Sequence, residues 1–275
     1  MAVLLALLTA VSYGVGDYSG GRASRLASTL SVTATSHLLG LAGLTLLALA
    51  AGADEVRAAD LALGAAAGVF GFLGIVLLYR GLAGSAMTVV SPVSAVVAAV
   101  VPVAAGLVSG ERPGAVAIVG IVVALAAIAL VTHAGPLGGV TRQAVLIAVG
   151  AGVGFGVFFV FVGAVSEDAG LWPLAVGRLV SAATAVTLAT ISGRSVVPAR
   201  PALAFTIGAG AFDVAANVTF LLATRQGLLT IVAVVASLYP AVTVLLALVV
   251  DGERINGTQV AGLALAAAAI TFCAV

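Results

Sequence analysis

Charged residues are scarce in this sequence. Only 8% of its 275 residues are charged, whereas 63% are hydrophobic, and the mean hydropathy is +1.31. A water-soluble domain has about one charged residue in four. Because so few charges could not cover a protein surface in water, the composition predicts an integral membrane protein.

Lysine is absent, and all 11 basic residues are arginine. A Walker A loop requires a lysine, and so does the Schiff base of pyridoxal phosphate. We therefore expect neither an ATP-driven pump nor a cofactor. The single Cys273 provides no disulfide framework or thiolate metal cluster, so no metal site is expected either.

The net charge of +1 gives no reason to expect nucleic acid as a partner. The expected partners are the lipid bilayer and a small-molecule substrate. The sequence leaves the oligomeric state open, and a monomer is compatible with it.

Long apolar runs divide the chain into segments of membrane-spanning length. A hydrocarbon core of about 30 Å requires roughly 20 residues of helix, and only helices or closed barrels satisfy backbone polar groups in lipid. The runs predict an all-α protein with ten transmembrane helices. They fall at about 2–20, 29–51, 59–80, 85–108, 114–133, 143–164, 171–192, 202–223, 228–250 and 256–275. We interpret residues 1–20 as the first span rather than a signal peptide, because no basic segment precedes the apolar run.

The two halves of the chain resemble each other. SGERPGAVAIVGIVVALAA at 109–127 aligns with DGERINGTQVAGLALAAAA at 251–269, and GVFGF at 68–72 aligns with GAFDV at 210–214. Both pairs are displaced by 142 residues (251 minus 109, 210 minus 68).

This displacement predicts two repeats of five helices, residues 1–137 and 138–275, forming one transport unit. Because five is odd, the second repeat enters the bilayer from the opposite side and is inverted relative to the first. Inverted repeats typically place a binding site near the bilayer midplane and support alternating access.

The sequence resembles the EamA-type proteins of the drug/metabolite transporter superfamily over essentially its whole length. The resemblance rests on YGVGDYSGGRASR at 13–25, the GER turns at 110–112 and 252–254, LWPLAVGR at 171–178, and GAFDVAANVTFLLATRQGLLTIVAVVASLYPAVTVLLA at 210–247. It implies a ten-helix, inverted-repeat transporter of small metabolites, often an exporter, with both termini in the cytoplasm. Many relatives have Trp-Gly where this chain has Tyr13-Gly14, so their substrates are not carried over.

Few polar side chains fall inside the predicted spans, and they are the candidate substrate contacts. They are Tyr13, Asp17, His37, Arg178, Asp213 and Asn217. A charge at the bilayer centre costs about 2.5–3.5 kcal/mol on insertion scales, and such residues usually face a cavity or a partner. Asp213 and Asn217 are four residues apart and share a helix face, as do Tyr13 and Asp17. The first repeat has Gly71 and Ile75 at the positions of Asp213 and Asn217, which indicates a specific task rather than a requirement of the fold.

Three interpretations of this group remain open. Arg178 pairs with Asp213 or Asp17 only to hold helices together. Alternatively, one of the two aspartates couples transport to protons, in which case its distance from Arg178 decides whether it titrates. In the third, the polar groups contact the substrate directly, which is compatible with the second.

Prolines interrupt two spans that correspond in the repeat. Pro92 and Pro102 lie in the fourth span and Pro240 in the ninth, and each removes a helical hydrogen bond. We predict that these residues are hinges, the alternative being kinks needed only for packing, and that nearby Ser94 and Tyr239 line the cavity.

Orientation is not settled by the sequence. The first loop and every second loop after it hold seven arginines (Arg22, Arg25, Arg80, Arg142, Arg194, Arg200 and Arg254), and the other loops hold Arg57, Arg112 and Arg225. By the positive-inside rule, this bias places both termini outside. The family resemblance implies the reverse.

The sequence therefore predicts a multi-pass secondary transporter of the cytoplasmic (inner) membrane. We expect alternating access around a midplane site, export of a small polar or amphipathic metabolite such as an amino acid, and coupling to protons through Asp213 or Asp17. The alternatives are an uncoupled facilitator, a non-transporting scaffold and an intramembrane enzyme. An enzyme is disfavoured, because His37 and His133 are the only histidines and neither belongs to a protease motif.

Overall fold

The computed structural model describes residues 1–82, 87–131, 142–251 and 256–274, with side chains except at 79–82, 87–92, 131 and 274. All regular secondary structure in these ranges is helical. The helices are α1 (Ala2–Leu26), α2 (Thr29–Ala51), α3 (Ala58–Leu82), α4 (Met87–Val108), α5 (Ala115–Val131), α6 (Arg142–Gly163), a 3₁₀ turn (Glu167–Ala169), α7 (Trp172–Ile191), α8 (Arg200–Thr224), α9 (Leu229–Ala236), α10 (Tyr239–Val250) and α11 (Gly257–Ala274).

The prediction of ten spans is confirmed, with α9 and α10 together forming the ninth. Within the described residues, seven spans are long and apolar enough to cross a bilayer by length and composition alone. Three shorter apolar helices, Val93–Val108, Ala115–Leu130 and Gly257–Cys273, accompany them. The first span is longer than predicted, since α1 continues to Leu26 and includes Arg22 and Arg25.

Small residues allow neighbouring helices to approach closely. This is expected in a membrane, because the hydrophobic effect does not favour helix association in lipid and close van der Waals packing stabilises it instead. A Cβ added to Gly64 would overlap the carbonyl oxygen of Pro173, and one added to Gly68 would overlap that of Gly177. This register shows that α3 and α7 run parallel. Gly71 and Gly74 instead face Phe158 and Phe155, so α3 and α6 run antiparallel.

The helices form two groups related by the sequence repeat. Group one consists of α3, α4 and α6, which pack together, and group two consists of α8, the α9–α10 span and α1. Helices α2 and α7 pack against each other and join the groups, while α5 packs against α11.

The second repeat is inverted relative to the first. Helix α2 corresponds to α7 in the repeat, and the two run antiparallel. Ser31 and Thr35, near the start of α2, donate side-chain hydrogen bonds to the carbonyls of Ser195 and Val196, just after α7. At the other end of α2, the backbone N–H of Asp54 bonds to Asp168, just before α7. The predicted boundary between residues 137 and 138 lies outside the described residues.

The connections lie on two faces. The start face carries Met1 and the segments 52–57, 109–114, 164–171 and 225–228. The arginine face carries the opposite helix ends, where Arg22, Arg25, Arg142, Arg194 and Arg200 are found. Glu253 and Arg254 lie outside the described residues, as do His133 and the side chain of Arg80.

Candidate functional site

A cavity of about 50 Å³ lies between the helix groups, at mid-height in α1 and α8. Its walls come from α1, α2, α3 and α8, and extend from the centre toward the arginine face. The lining residues are Tyr13, Gly16, Asp17, Gly20, Val32, Thr33, Ser36, His37, Ile75, Ala209 and Asp213. Four of the sequence-predicted site residues are among them. The volume accommodates one or two waters of about 30 Å³ each, so a metabolite would require a wider cavity.

Arg178 and Asp213 form an ion pair at the edge of this cavity. The Nη2 of Arg178 on α7 donates to Oδ2 of Asp213 on α8. The Arg178 side chain is 8% exposed and that of Asp213 is 29% exposed. Gly40 on α2 makes room for the arginine, because a Cβ there would lie 3.3 Å from Cδ of Arg178. A charge this deeply buried requires a partner, and Asp213 supplies it.

Two buried nitrogens near this pair are not satisfied. Nε of Arg178 and Nδ1 of His37 have no hydrogen-bond partner within the described part of the chain. Buried polar atoms nearly always have a partner in protein or water. These nitrogens are therefore available to water or to a substrate.

Asp17 differs from Asp213 in having no ion-pair partner among the described residues. It lines the cavity and is exposed, and the ion pairs and hydrogen bonds of the described residues do not include its carboxylate. The described ionic groups at the site are thus two carboxylates and one guanidinium, which sum to a net charge of −1 when all are ionised.

Asn217 and Tyr13 connect this site to α1. The Tyr13 hydroxyl donates to Oδ1 of Asn217 at 3.3 Å, and Nδ2 of Asn217 donates to the backbone carbonyl of Asp213 at 2.7 Å. The predicted i, i+4 relationship of Asp213 and Asn217 is therefore present as a hydrogen bond. The Tyr239 ring lies edge-on to Tyr13, with 6.2 Å between the ring centroids, behind the cavity wall.

An aromatic layer separates the cavity from the start face. Phe159 of group one packs against Tyr13 and Phe220 of group two, with centroid distances of 6.1 Å and 4.6 Å. Phe159 is 4% exposed and Phe220 is fully buried. The groups are therefore in tight apolar contact on this side of the cavity.

The remaining predicted positions lie away from the cavity. Ser94 is 2% exposed, and its carbonyl faces Gly152 of α6, so it lies between α4 and α6. Helix α4 is continuous across Pro102, so this proline does not break the span. The side chain of Pro92 lies outside the described residues. The ninth span, in contrast, is broken at residues 237–238, and Pro240 follows at the start of α10, where its missing N–H costs no helical bond.

Sequence reasoning missed part of the α2 wall. Thr33 and Ser36 line the cavity beside His37. Thr33 precedes Ser36 by three residues and His37 by four, so it neighbours both on the helix surface, and this spacing is the signal that could have identified them.

A second cavity, of about 360 Å³, opens at the start face. It lies between the ends of α2 and α8 and the 3₁₀ turn, and residues such as Gly52, Glu167, Leu222 and Arg225 form its walls. It is remote from the buried ion pair, so the smaller central cavity is the candidate transport site. Among the described residues, no three His, Cys, Asp or Glu side chains lie close enough together to hold a metal ion.

Comparison with known families agrees with this architecture. The sequence model of the EamA-like transporter family matches residues 1–133 and again residues 142–275. The chain belongs to the EamA-like transporter family. This confirms the resemblance to the drug/metabolite transporter superfamily, and with it the two-repeat, ten-helix organisation.

A solved structure supports the same EamA fold. It is titled "Crystal structure of protein", is 18% identical, and superposes with a TM-score of 0.78 over 98% of this chain and 94% of that one. At this identity the likeness establishes the fold alone. No curated protein matches the sequence. Membership in a transporter family agrees with the expectation that the chain is not an enzyme.

Proposed function

We propose that this EamA-family protein is a secondary transporter of a small polar or amphipathic metabolite, such as an amino acid, in the cytoplasmic membrane. Transport, with export as the expected direction, proceeds by alternating access around the central cavity.

The observation that carries this proposal is the buried Arg178–Asp213 pair at the edge of a cavity that also contains Asp17. Buried charges in a membrane protein are costly and usually mark a substrate or ion pathway. A zwitterion such as an amino acid carries both charges of this site in complementary form. Its carboxylate would bind Arg178, and its ammonium group would bind the carboxylate of Asp213.

The coupling carboxylate is Asp17 rather than Asp213. Arg178 neutralises Asp213 and favours its ionised form, whereas Asp17 lacks such a partner among the described residues. A carboxylate that faces a small cavity without a counter-ion is suited to gain and lose a proton. Asp213 then orients Arg178 until the substrate arrives.

The second candidate function is an uncoupled facilitator of the same architecture. In that case Asp17 contacts the substrate, and transport does not depend on a pH gradient.

The test is flux into proteoliposomes containing the purified protein, using a panel of amino acids and other small polar metabolites, with and without an imposed pH gradient. We expect saturable flux of at least one compound, accelerated by the gradient. Asp213→Asn should reduce this flux strongly, while Glu55→Gln, a charge change at an exposed loop residue, should leave it intact.

Two outcomes would change the proposal. Equal flux with and without the gradient would favour the facilitator. Absence of flux for every compound, from protein whose helix content and gel-filtration profile are intact, would favour a non-transporting scaffold.

A further inference from the structure

Glu111 connects the two helix groups at the start face. It lies in the turn after α4 of group one, and its carboxylate accepts two backbone N–H groups from the first turn of α9 in group two. The distances are 2.7 Å from N of Leu229 to Oε1 and 2.9 Å from N of Thr230 to Oε2. The first N–H groups of a helix have no partner within it, and hydrogen bonds from them to a carboxylate are strong.

Gly106 provides the space for this contact. A Cβ at Gly106 would lie 2.5 Å from Oε2 of Glu111 and 2.7 Å from Cγ2 of Thr230. In the aligned repeat, position 106 corresponds to Leu248 (106 plus 142). The glycine is therefore not a general feature of the two repeats.

Helix α9 links Glu111 to the transport site. Val232, Val234, Val235 and Ala236 are fully buried, so α9 is enclosed by protein along its length. Its far end leads through the break at 237–238 to Tyr239, which contacts Tyr13 at the cavity. An eight-residue helix is about 12 Å long at 1.5 Å per residue. Glu111 and Tyr239 are therefore connected by one short helix, through which a movement at Glu111 would reach Tyr239.

A second charged side chain near the start face reaches from group two to the connection after α6. At the start face, Arg225 at the end of α8 adds a second connection by donating to the carbonyls of Gly170 at 2.8 Å and Ser166 at 3.4 Å. At the arginine face, the ion pair Arg22–Asp251 joins α1 to α10, which both belong to group two.

We propose that Glu111 is a latch that keeps the transport site closed toward the start face, and that its release from α9 precedes opening there. This inference rests on the proposed alternating access. It assigns to the first GER turn a positioning role in transport, through α9 and Tyr239.

The test measures accessibility and requires no substrate, so it remains informative if flux assays fail. A single reporter cysteine is introduced into a Cys273→Ser background. It is placed either between the aromatic layer and the start face (Val162→Cys) or in the cavity (Ser36→Cys). The protein is held in lipid nanodiscs, and labelling rates with a water-soluble maleimide are compared with and without Glu111→Gln.

We expect Glu111→Gln to raise the labelling rate of the Val162→Cys reporter by about tenfold, as an equilibrium shift of about 1.4 kcal/mol would. The Ser36→Cys reporter should be labelled more slowly. Glu55→Gln, on the same face, is the matched control and should change neither rate. If Glu111→Gln yields no folded protein, Gly106→Ala displaces the carboxylate by crowding and should produce the same pair of changes.

A purely structural helix cap would behave differently. If Glu111→Gln lowers the melting temperature but leaves both labelling rates unchanged, the proposal that Glu111 is a latch is wrong. Faster labelling of both reporters would equally contradict it, because that pattern indicates general loosening rather than opening of one face.

Discussion

Arg178 on α7 is held by Asp213 on α8 and packs against Gly40 on α2, one helical turn after His37. Helices α2 and α7, which correspond to each other in the repeat, pack together near the centre of the molecule. The first repeat supplies a histidine there and the second an arginine. The centre of the molecule is therefore chemically asymmetric, although α2 and α7 correspond to each other in the sequence repeat.

The ion pair should show strong energetic coupling. Asp213→Asn leaves a buried guanidinium without its counter-ion, and Arg178→Gln leaves a carboxylate. Each change alone should destabilise the fold by up to about 3–5 kcal/mol, with the smaller cost for Arg178→Gln because the Asp213 carboxylate retains partial exposure. The double variant should lose less than the sum of the single variants, by about 1–3 kcal/mol. Unfolding free energies measured in bicelles test this, and additive effects would mean that the pair contributes no coupling.

The contact between α3 and α7 should not tolerate one added methyl group. Gly68→Ala places a Cβ against the carbonyl of Gly177, and neither backbone can yield without separating the helices. We expect a loss of about 1–3 kcal/mol or more in stability, measured as the unfolding free energy in bicelles.

The chain offers a matched control for this change. Gly21 lies in α1, and a Cβ there would meet nothing within 4 Å. Gly21→Ala should be neutral or stabilise by up to about 1 kcal/mol, because alanine is the better helix former. Equal destabilisation by both changes would show that close packing of α3 and α7 is not the cause.

Most of the fold could be predicted from hydrophobic run lengths and the repeat. The predicted span 29–51 coincides with α2 as found, since a stretch bounded by Ser28 and Gly52 leaves little choice. The break at residues 237–238 carried no comparable signal. Pro240 suggested a kink, but whether a proline bends a helix or begins a new one depends on the tertiary contacts around it.

The site was less predictable. The sequence could identify the rare polar residues, but not which aspartate pairs with Arg178, because Asp17 and Asp213 lie on different helices and only tertiary packing selects between them. Ser94 shows the same limit, since its spacing from Pro92 does not specify which neighbouring helix it faces. The link between Glu111 and α9 joins positions more than 100 residues apart, which a single sequence does not reveal.

The distribution of arginines between the two faces predicts one orientation of the protein in the membrane. Within the described residues, five arginines lie at the arginine face (Arg22, Arg25, Arg142, Arg194 and Arg200), whereas three lie at the start face (Arg57, Arg112 and Arg225). We expect the arginine face in the cytoplasm, because arginine near short loops determines insertion. A C-terminal alkaline phosphatase fusion should then be active and a C-terminal green fluorescent protein fusion dark. The opposite result would support the orientation implied by the family resemblance.

Asp17 and Asp213 should respond differently to neutralisation if Asp17 carries the proton. Asp17→Asn removes an unpaired carboxylate from the cavity wall but leaves the Arg178–Asp213 pair intact. We expect this variant to retain exchange of labelled substrate across the membrane at equilibrium. Substrate accumulation driven by a pH gradient should fall at least about tenfold, because the gradient no longer acts on a titrating group. Asp213→Asn should instead reduce both activities, since it disturbs the position of Arg178.

Tyr13→Phe, which removes only the hydroxyl that bonds to Asn217, is the matched control on α1 and should retain coupling. If Asp17→Asn still accumulates substrate in response to the gradient, while Asp213→Asn exchanges substrate but no longer accumulates it, the coupling role belongs to Asp213, and Arg178 must release it during each transport cycle.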